Sequence, residues 1–280
     1  MKAMKDAPLK KKRYGKLVNP LDYTRKGWMQ TLLGINFFFL YFPIVALVAF
    51  SFNDSKRNIV WKGFTFKYYI KAYNNEALHS SFMNSITVAS ISTVVSTLLG
   101  TMLGLALYRY RFPFKPAYEG FAHLPIMIPE ICMGIAMLVF FSLINMPLSL
   151  FTITVSHIAF TIPFVAVVIR ARMSGFDTSY EEVSYDLGAS QWQTFWNVTF
   201  PYLRPGVVAG ALLAFTLSID DFVITFFTAG IGSTTLPIKI YSMLRFSVTP
   251  EVNAASTVLI VLTLTLTILA MTIQARANKR

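Results

Sequence analysis

Apolar residues in this chain do not alternate with polar ones but run on in blocks. A helix needs about 20 apolar residues to cross a hydrocarbon core of about 30 Å. Six blocks are that long: 29–52, 84–107, 118–144, 148–169, 206–229 and 254–273. Blocks of this length without a period of two do not fit membrane barrel strands. The pattern predicts an all-α integral membrane domain over 29–275, with a tail of 1–28 before it and a short end of 276–280 after it. Ser92, Ser96, Gly100 and Gly104 recur at a spacing of four, a row of small residues that lets another helix approach closely. Pro125, Pro129 and Pro163 predict kinks in the third and fourth spans.

Composition agrees with this pattern. The chain is 55% hydrophobic and 14% charged, with a mean hydropathy of +0.55, against about 25% charge in a soluble domain. The net charge of +12 raises nucleic acid as a partner, but 9 of the 25 basic residues lie in 1–28. No basic face falls on a folded soluble region, so the reading is of membrane lipid and no nucleic acid. The first apolar block exceeds a signal-peptide core and is expected to stay as a membrane helix. Outside the blocks, 18 lysines and arginines lie in the amino tail, 108–117, 170–205 and the carboxyl end, against 7 in the remaining loops. The positive-inside rule then puts both termini in the cytoplasm. The single cysteine, Cys132, excludes an intrachain disulfide and a cysteine-based metal site. The scattered His79, His123 and His157 make no metal site either. No G-x-x-x-x-G-K-[ST] sequence is present to cradle phosphates, so no catalytic residue, cofactor or metal is expected on this chain.

The loop at 170–205 carries helix signals. Ser179 with Glu182, Thr178 with Glu181, and Ser190 with Gln193 each have capping-box spacing. Gly188 suits a left-handed helix end, and Pro201 suits the exit of a second helix. Trp192, Phe195, Trp196 and Thr199 make an amphipathic stripe on that helix. Two readings stand: a helix pair lying on the membrane, or an element that docks a cytoplasmic partner.

The stretch "EEVSYDLGASQWQTFWNVTFP" resembles the EAA loop of ABC-importer permeases, in which glutamate and two alanines precede a glycine and an aliphatic–x–aliphatic–proline close. Glu182, Gly188, Val198 and Pro201 take the motif's places, while Val183 and Ser184 stand where alanines are usual. "ALYRYRF", "SHIAFTIPFV", "SGFD", "FTLSIDDF", "LPIKIYSM" and "TPEVNA" are similar to the permease subunits of spermidine/putrescine importers, and the likeness runs from about residue 33 to the carboxyl end. The resemblance implies the type I ABC importer permease fold in a bacterial inner membrane. It implies a heterodimer with a second permease subunit, two cytoplasmic ATPase subunits that hold ATP and magnesium, and an external binding protein that delivers the polyamine. It assigns coupling to the ATPase to 177–201, on Glu181, Glu182, Asp186, Gly188, Ala189, Ser190 and Pro201.

Acidic residues inside the blocks then acquire a purpose. A carboxylate at a bilayer centre costs about 2.5–3.5 kcal/mol on insertion scales. No lysine or arginine lies between Arg204 and Lys239 to offset Asp220 and Asp221. At 1.5 Å per residue, Asp220 lies about 21 Å along its span from Gly206, and Glu130 about 18 Å along its own from Tyr118. Two helices thus bring acid to a similar depth, where carboxylates replace the hydration of an amine. Adjacent residues point about 100° apart on a helix, so one aspartate faces the route and the other meets a neighbouring helix or a backbone donor. Other roles stay open. An aspartate is protonated, caps a broken half-helix at Val223 or Ile224, or pairs with Lys239, Arg245 or the partner subunit. Tyr241 faces the binding protein, closes over the substrate or packs at the interface, and His157 either packs through hydrogen bonds or lines the route. Alternative cargoes are another organic cation or a metal chelate. A self-contained secondary transporter is a further alternative, but no clear internal repeat supports it.

Overall fold

The computed structural model describes residues 27–55, 60–246 and 249–277. The basic tail before Gly27 and the last three residues lie outside the described residues. The chain divides into two units, 1–49 and 50–280. In the first unit, α1 (Gly27–Ser51) is an apolar helix whose side chains up to Ala49 are not buried in the unit. Phe37 stacks on Tyr41 and Phe38 on Phe42, one turn apart along it.

The second unit contains α2 (Lys67–Tyr73), α3 (Glu76–Arg109), α4 (Lys115–Met127), α5 (Glu130–Leu143), α6 (Leu150–Met173), α7 (Ser179–Asp186) and α8 (Gln191–Thr194). A π-turn over Phe195–Thr199 leads into α9 (Phe200–Ile219), then α10 (Val223–Thr228), α11 (Leu236–Phe246) and α12 (Pro250–Ala277). Among the described residues the strand geometry is limited to one isolated bridge, Asn53 with Phe64.

The core is made by α3, α6 and α9, which pack on one another. The row of small residues on α3 makes this possible. A Cβ on Gly100 would stand 2.6 Å from Cβ of Val165, and one on Gly104 would stand 2.8 Å from the Ala166 carbonyl oxygen. Gly210 of α9 meets the other side of Val165. Val165, Ile169, Met173, Leu203 and Ala214 fill the space between the three helices. A capped end lets α3 outrun its apolar block. Asn75 accepts hydrogen bonds from the Ala77 and Leu78 amides, so α3 starts eight residues before its block. Ser149 and Thr152 form a capping box on α6.

Two expected spans are broken. The 118–144 stretch is not one helix: α4 and α5 meet at 106°. Pro129 forces Ile128 into an extended conformation, ψ 133°, because a residue before proline is driven out of the helical region. The height of Glu130 inferred from a straight helix therefore does not hold. The 206–229 stretch is interrupted between Ile219 and Val223.

The 170–205 segment also differs from expectation. The capping boxes at Thr178 and Ser179 do not form; the Asp177 carboxylate instead accepts the Ser179 amide at 3.0 Å. That bond holds the Asp177 carboxyl below the usual carboxylate range. The Ser190–Gln193 box is present, and Gly188 has φ +86°. Pro201 is not a helix exit, because the chain stays helical from Gln191 to Ile219. A proline cannot donate to the carbonyl four residues back, and its ring clashes with it. The widened π-turn just before Pro201 is where the helix takes up that mismatch. The turn also splits the expected aromatic stripe: Trp192 and Trp196 are exposed, while Thr194 and Thr199 point inward.

Candidate functional site

Both broken spans place an acid at the break. Glu130 is the first residue of α5, where a helix N-terminus favours negative charge. It is exposed. Asp220 is the last residue of the α9 turn, with φ −97° and ψ −2°, and it is also exposed on this chain. The two carboxylates lie near enough for their charges to repel. They are brought together because α5 packs on α10, with Gly134 set against Phe227 and Ile224. A larger residue at 134 would stand 2.7 Å from the Phe227 ring. Met133, Phe160 and Ile224 form the buried floor beneath.

Asp221 points the other way and is buried. It caps α10, accepting the Ile224 amide at 3.3 Å, the Thr225 amide at 2.8 Å and the Thr225 hydroxyl at 2.7 Å. Nε2 of His157 on α6 stands 3.2 Å from the same carboxylate. The half-helix cap is thus the open alternative that Asp221 adopts. Among the described residues neither aspartate pairs with Lys239 or Arg245.

Tyr241 is half exposed on α11, its ring 4.8 Å from that of Phe222, the residue after Asp221. Phe222 in turn packs on Phe226, and Phe226 on Phe227. An aromatic group therefore borders the two exposed acids. This pairing can hold an ammonium group by charge and by the faces of the rings. Sequence reasoning missed Phe222 and Phe226, although both lie within the "DDFVITFF" run that drew attention to the acids.

A second cluster lies in the 170–205 segment. Glu182, Asp186, Gly188 and Ser190 are exposed on α7 and the turn after it, Pro201 is exposed on α9, and Ala189 is partly covered. Glu181 is different: it is buried, pairs with Arg109 at the end of α3, and accepts the Thr199 hydroxyl of the π-turn. Ser184 and Thr194 add a bond of 2.9 Å between α7 and α8. Tyr180, Val183 and Leu187 form an exposed apolar ridge on α7, which sequence reasoning passed over. Its spacing of three and four residues was the available signal.

A membrane bundle of this architecture, carrying the short α7–α8 helix pair, defines an importer permease. The chain belongs to the family described as the binding-protein-dependent transport system inner membrane component, which matches residues 96–280. It is 41% identical over 255 residues to the spermidine/putrescine transport system permease protein PotC of Escherichia coli K12, covering 91% of this chain and 95% of that one. Its identity to the putrescine transport system permease protein PotI of the same organism is 35% over 270 residues, covering 94% and 96%. In fold it matches a bacterial ABC transporter that imports the acidic polysaccharide alginate, with a TM-score of 0.67 at 17% identity, over 91% of this chain and 97% of that one.

Proposed function

We propose that this chain is a permease subunit of an ABC importer that carries polyamines, spermidine or putrescine, into the cell. The observation that carries the reading is the exposed acidic pair, Asp220 and Glu130, bordered by Phe222 and Tyr241 and lacking any described cation partner. A chain that leaves two carboxylates on its own surface within the membrane domain needs a cationic complement, and a protonated polyamine supplies one. The relationship to two polyamine permeases supports the same cargo.

In this reading a second permease subunit closes the route opposite Asp220 and Glu130. Of the two ATPase subunits, one docks on the Tyr180–Val183–Leu187 ridge and the exposed Glu182, Asp186, Gly188 and Ser190 around it, and the other on the second permease subunit. ATP hydrolysis occurs on those subunits. A binding protein delivers cargo at the opposite face, and both termini are cytoplasmic. Uptake of labelled spermidine and putrescine by vesicles carrying the whole transporter tests the reading. Asp220→Asn and Glu130→Gln are expected to cut uptake at least about tenfold, the worth of one charge-assisted contact, with assembly intact. Wild-type uptake by both variants overturns the pathway assignment.

A further inference from the structure

The geometry points to His157 as a positioning residue that clamps the break between α9 and α10 and so fixes the direction of Asp220. The inference rests on the pathway reading above and concerns a residue outside the route. His157 is buried, on α6 in the core of the bundle. Its Nδ1 lies 2.7 Å from the Ser218 hydroxyl, in the last turn of α9. Its Nε2 lies 2.9 Å from the Thr225 hydroxyl, in the first turn of α10, and 3.2 Å from the carboxylate of Asp221, which caps that helix from the interruption. One imidazole ring therefore holds both sides of the interruption, and Asp220 sits between the two sides.

The hydrogen-bond pattern gives Nε2 its part. The Thr225 hydroxyl donates to Asp221, so the proton between the ring and Thr225 must come from Nε2. Nδ1 lies against the Ser218 hydroxyl, whose oxygen is 3.0 Å from the Ser92 hydroxyl on α3. The chain Ser92–Ser218–His157–Thr225–Asp221 links α3 through α9 and α6 to the start of α10. The clamp is needed because α10 has only six residues, too few to hold itself as a helix. Its first amides are satisfied by Asp221, and Asp221 is in turn oriented by His157. Without the imidazole the angle between α9 and α10 is no longer set from α6. Asp220 then loses its fixed placement relative to Glu130.

The test uses the assembled transporter in vesicles, with His157→Leu, His157→Gln, Asp220→Asn and the double variant His157→Leu/Asp220→Asn. His157→Leu is expected to raise the apparent KM for spermidine about tenfold, the loss of one charge-assisted hydrogen bond, with a smaller change in maximal rate. His157→Gln, which keeps a donor and an acceptor, is expected to recover most of the affinity. The double variant should be no worse than Asp220→Asn, since His157 acts through Asp220. A second readout does not depend on transport: spin labels at the exposed Val208 of α9 and the exposed Ile231, three residues after α10, should give a broader distance distribution in His157→Leu than in the wild type. An unchanged distribution together with unchanged KM overturns the clamp. Losses that multiply in the double variant, or no recovery in His157→Gln, also overturn it and leave only a packing role. If Asp220→Asn alone transports normally while the distribution broadens, the clamp stands and the pathway reading falls.

Discussion

A carboxylate inside a membrane domain is tolerated where donors meet it or where a cation is to come. Asp221 has its donors: the Ile224 and Thr225 amides, the Thr225 hydroxyl and His157. Asp220, one residue before, has an exposed carboxylate and the like charge of Glu130 nearby. The two residues should therefore fail in different ways. Asp221→Ala strands buried donors, at a cost of about 1–3 kcal/mol, and should lower the Tm of the detergent-solubilised transporter. Asp220→Ala takes a partner only from its own, exposed backbone amide and relieves a repulsion, so Tm should hold or rise. Equal loss of Tm in both variants would contradict this division.

At the scale of elements, the close approach of α3 and α6 depends on what Gly100 and Gly104 lack. Gly100→Leu must displace Val165 or the Ile162 carbonyl, which leave 2.6 and 2.8 Å for a Cβ. Overpacking of this kind costs about 1–3 kcal/mol, so less protein should reach the membrane and Tm should fall. The exposed Leu98→Ala on the same helix should do neither. At the other end of α3, Lys71 of α2 pairs with the buried Glu251 of α12 at 2.6 Å. Its hydrogen bond to Glu251, and then the charge of that carboxylate, raise the Lys71 pKa above 10.5. A raised lysine pKa gives stability that is complete below the ordinary value and is lost only as pH climbs through the folded one. Lys71→Met should therefore lower Tm equally at about pH 6.5 and about pH 8.5, and a gap that grows across that window would implicate another group. Much of this layer was legible in the sequence, because small residues at a spacing of four and apolar blocks are local patterns. The helix breaks were less so. "IMIPE" carries its proline openly, but a kink and a 106° turn look alike in sequence. The interruption at Asp220–Phe222 has no proline or glycine, and its stabilising partner, His157, comes from a different helix. The inward turn of Glu181 was hidden for the same reason, since Arg109 lies 72 residues away.

Across the whole molecule, the α7–α8 pair and Asp220 lie at two ends of one continuous helical run. From Gln191 to Ile219 the chain is helical over 29 residues, about 43 Å at 1.5 Å per residue. Asp220 follows immediately. At the near end, Glu181 ties α7 both to Arg109 of α3 and to Thr199 in the π-turn that begins this run. In the proposed assembly, motion that the ATPase imposes on α7 passes to α3 and α9 through this one buried carboxylate. The exposed ridge and this buried tie should be separable. Leu187→Asp places a charge on the ridge and should release the ATPase, measured as its loss on co-purification of the complex. Glu181→Ala leaves the ridge intact, so the ATPase should stay bound. It also leaves Arg109 and Thr199 without that carboxylate, and a buried interaction of this kind is worth at least about tenfold. Uptake should fall by that factor, while the loaded binding protein no longer stimulates ATP hydrolysis. Should Glu181→Ala keep both stimulation and uptake, the link between ATPase and acids must run through α7 and α8 by packing alone, without the carboxylate.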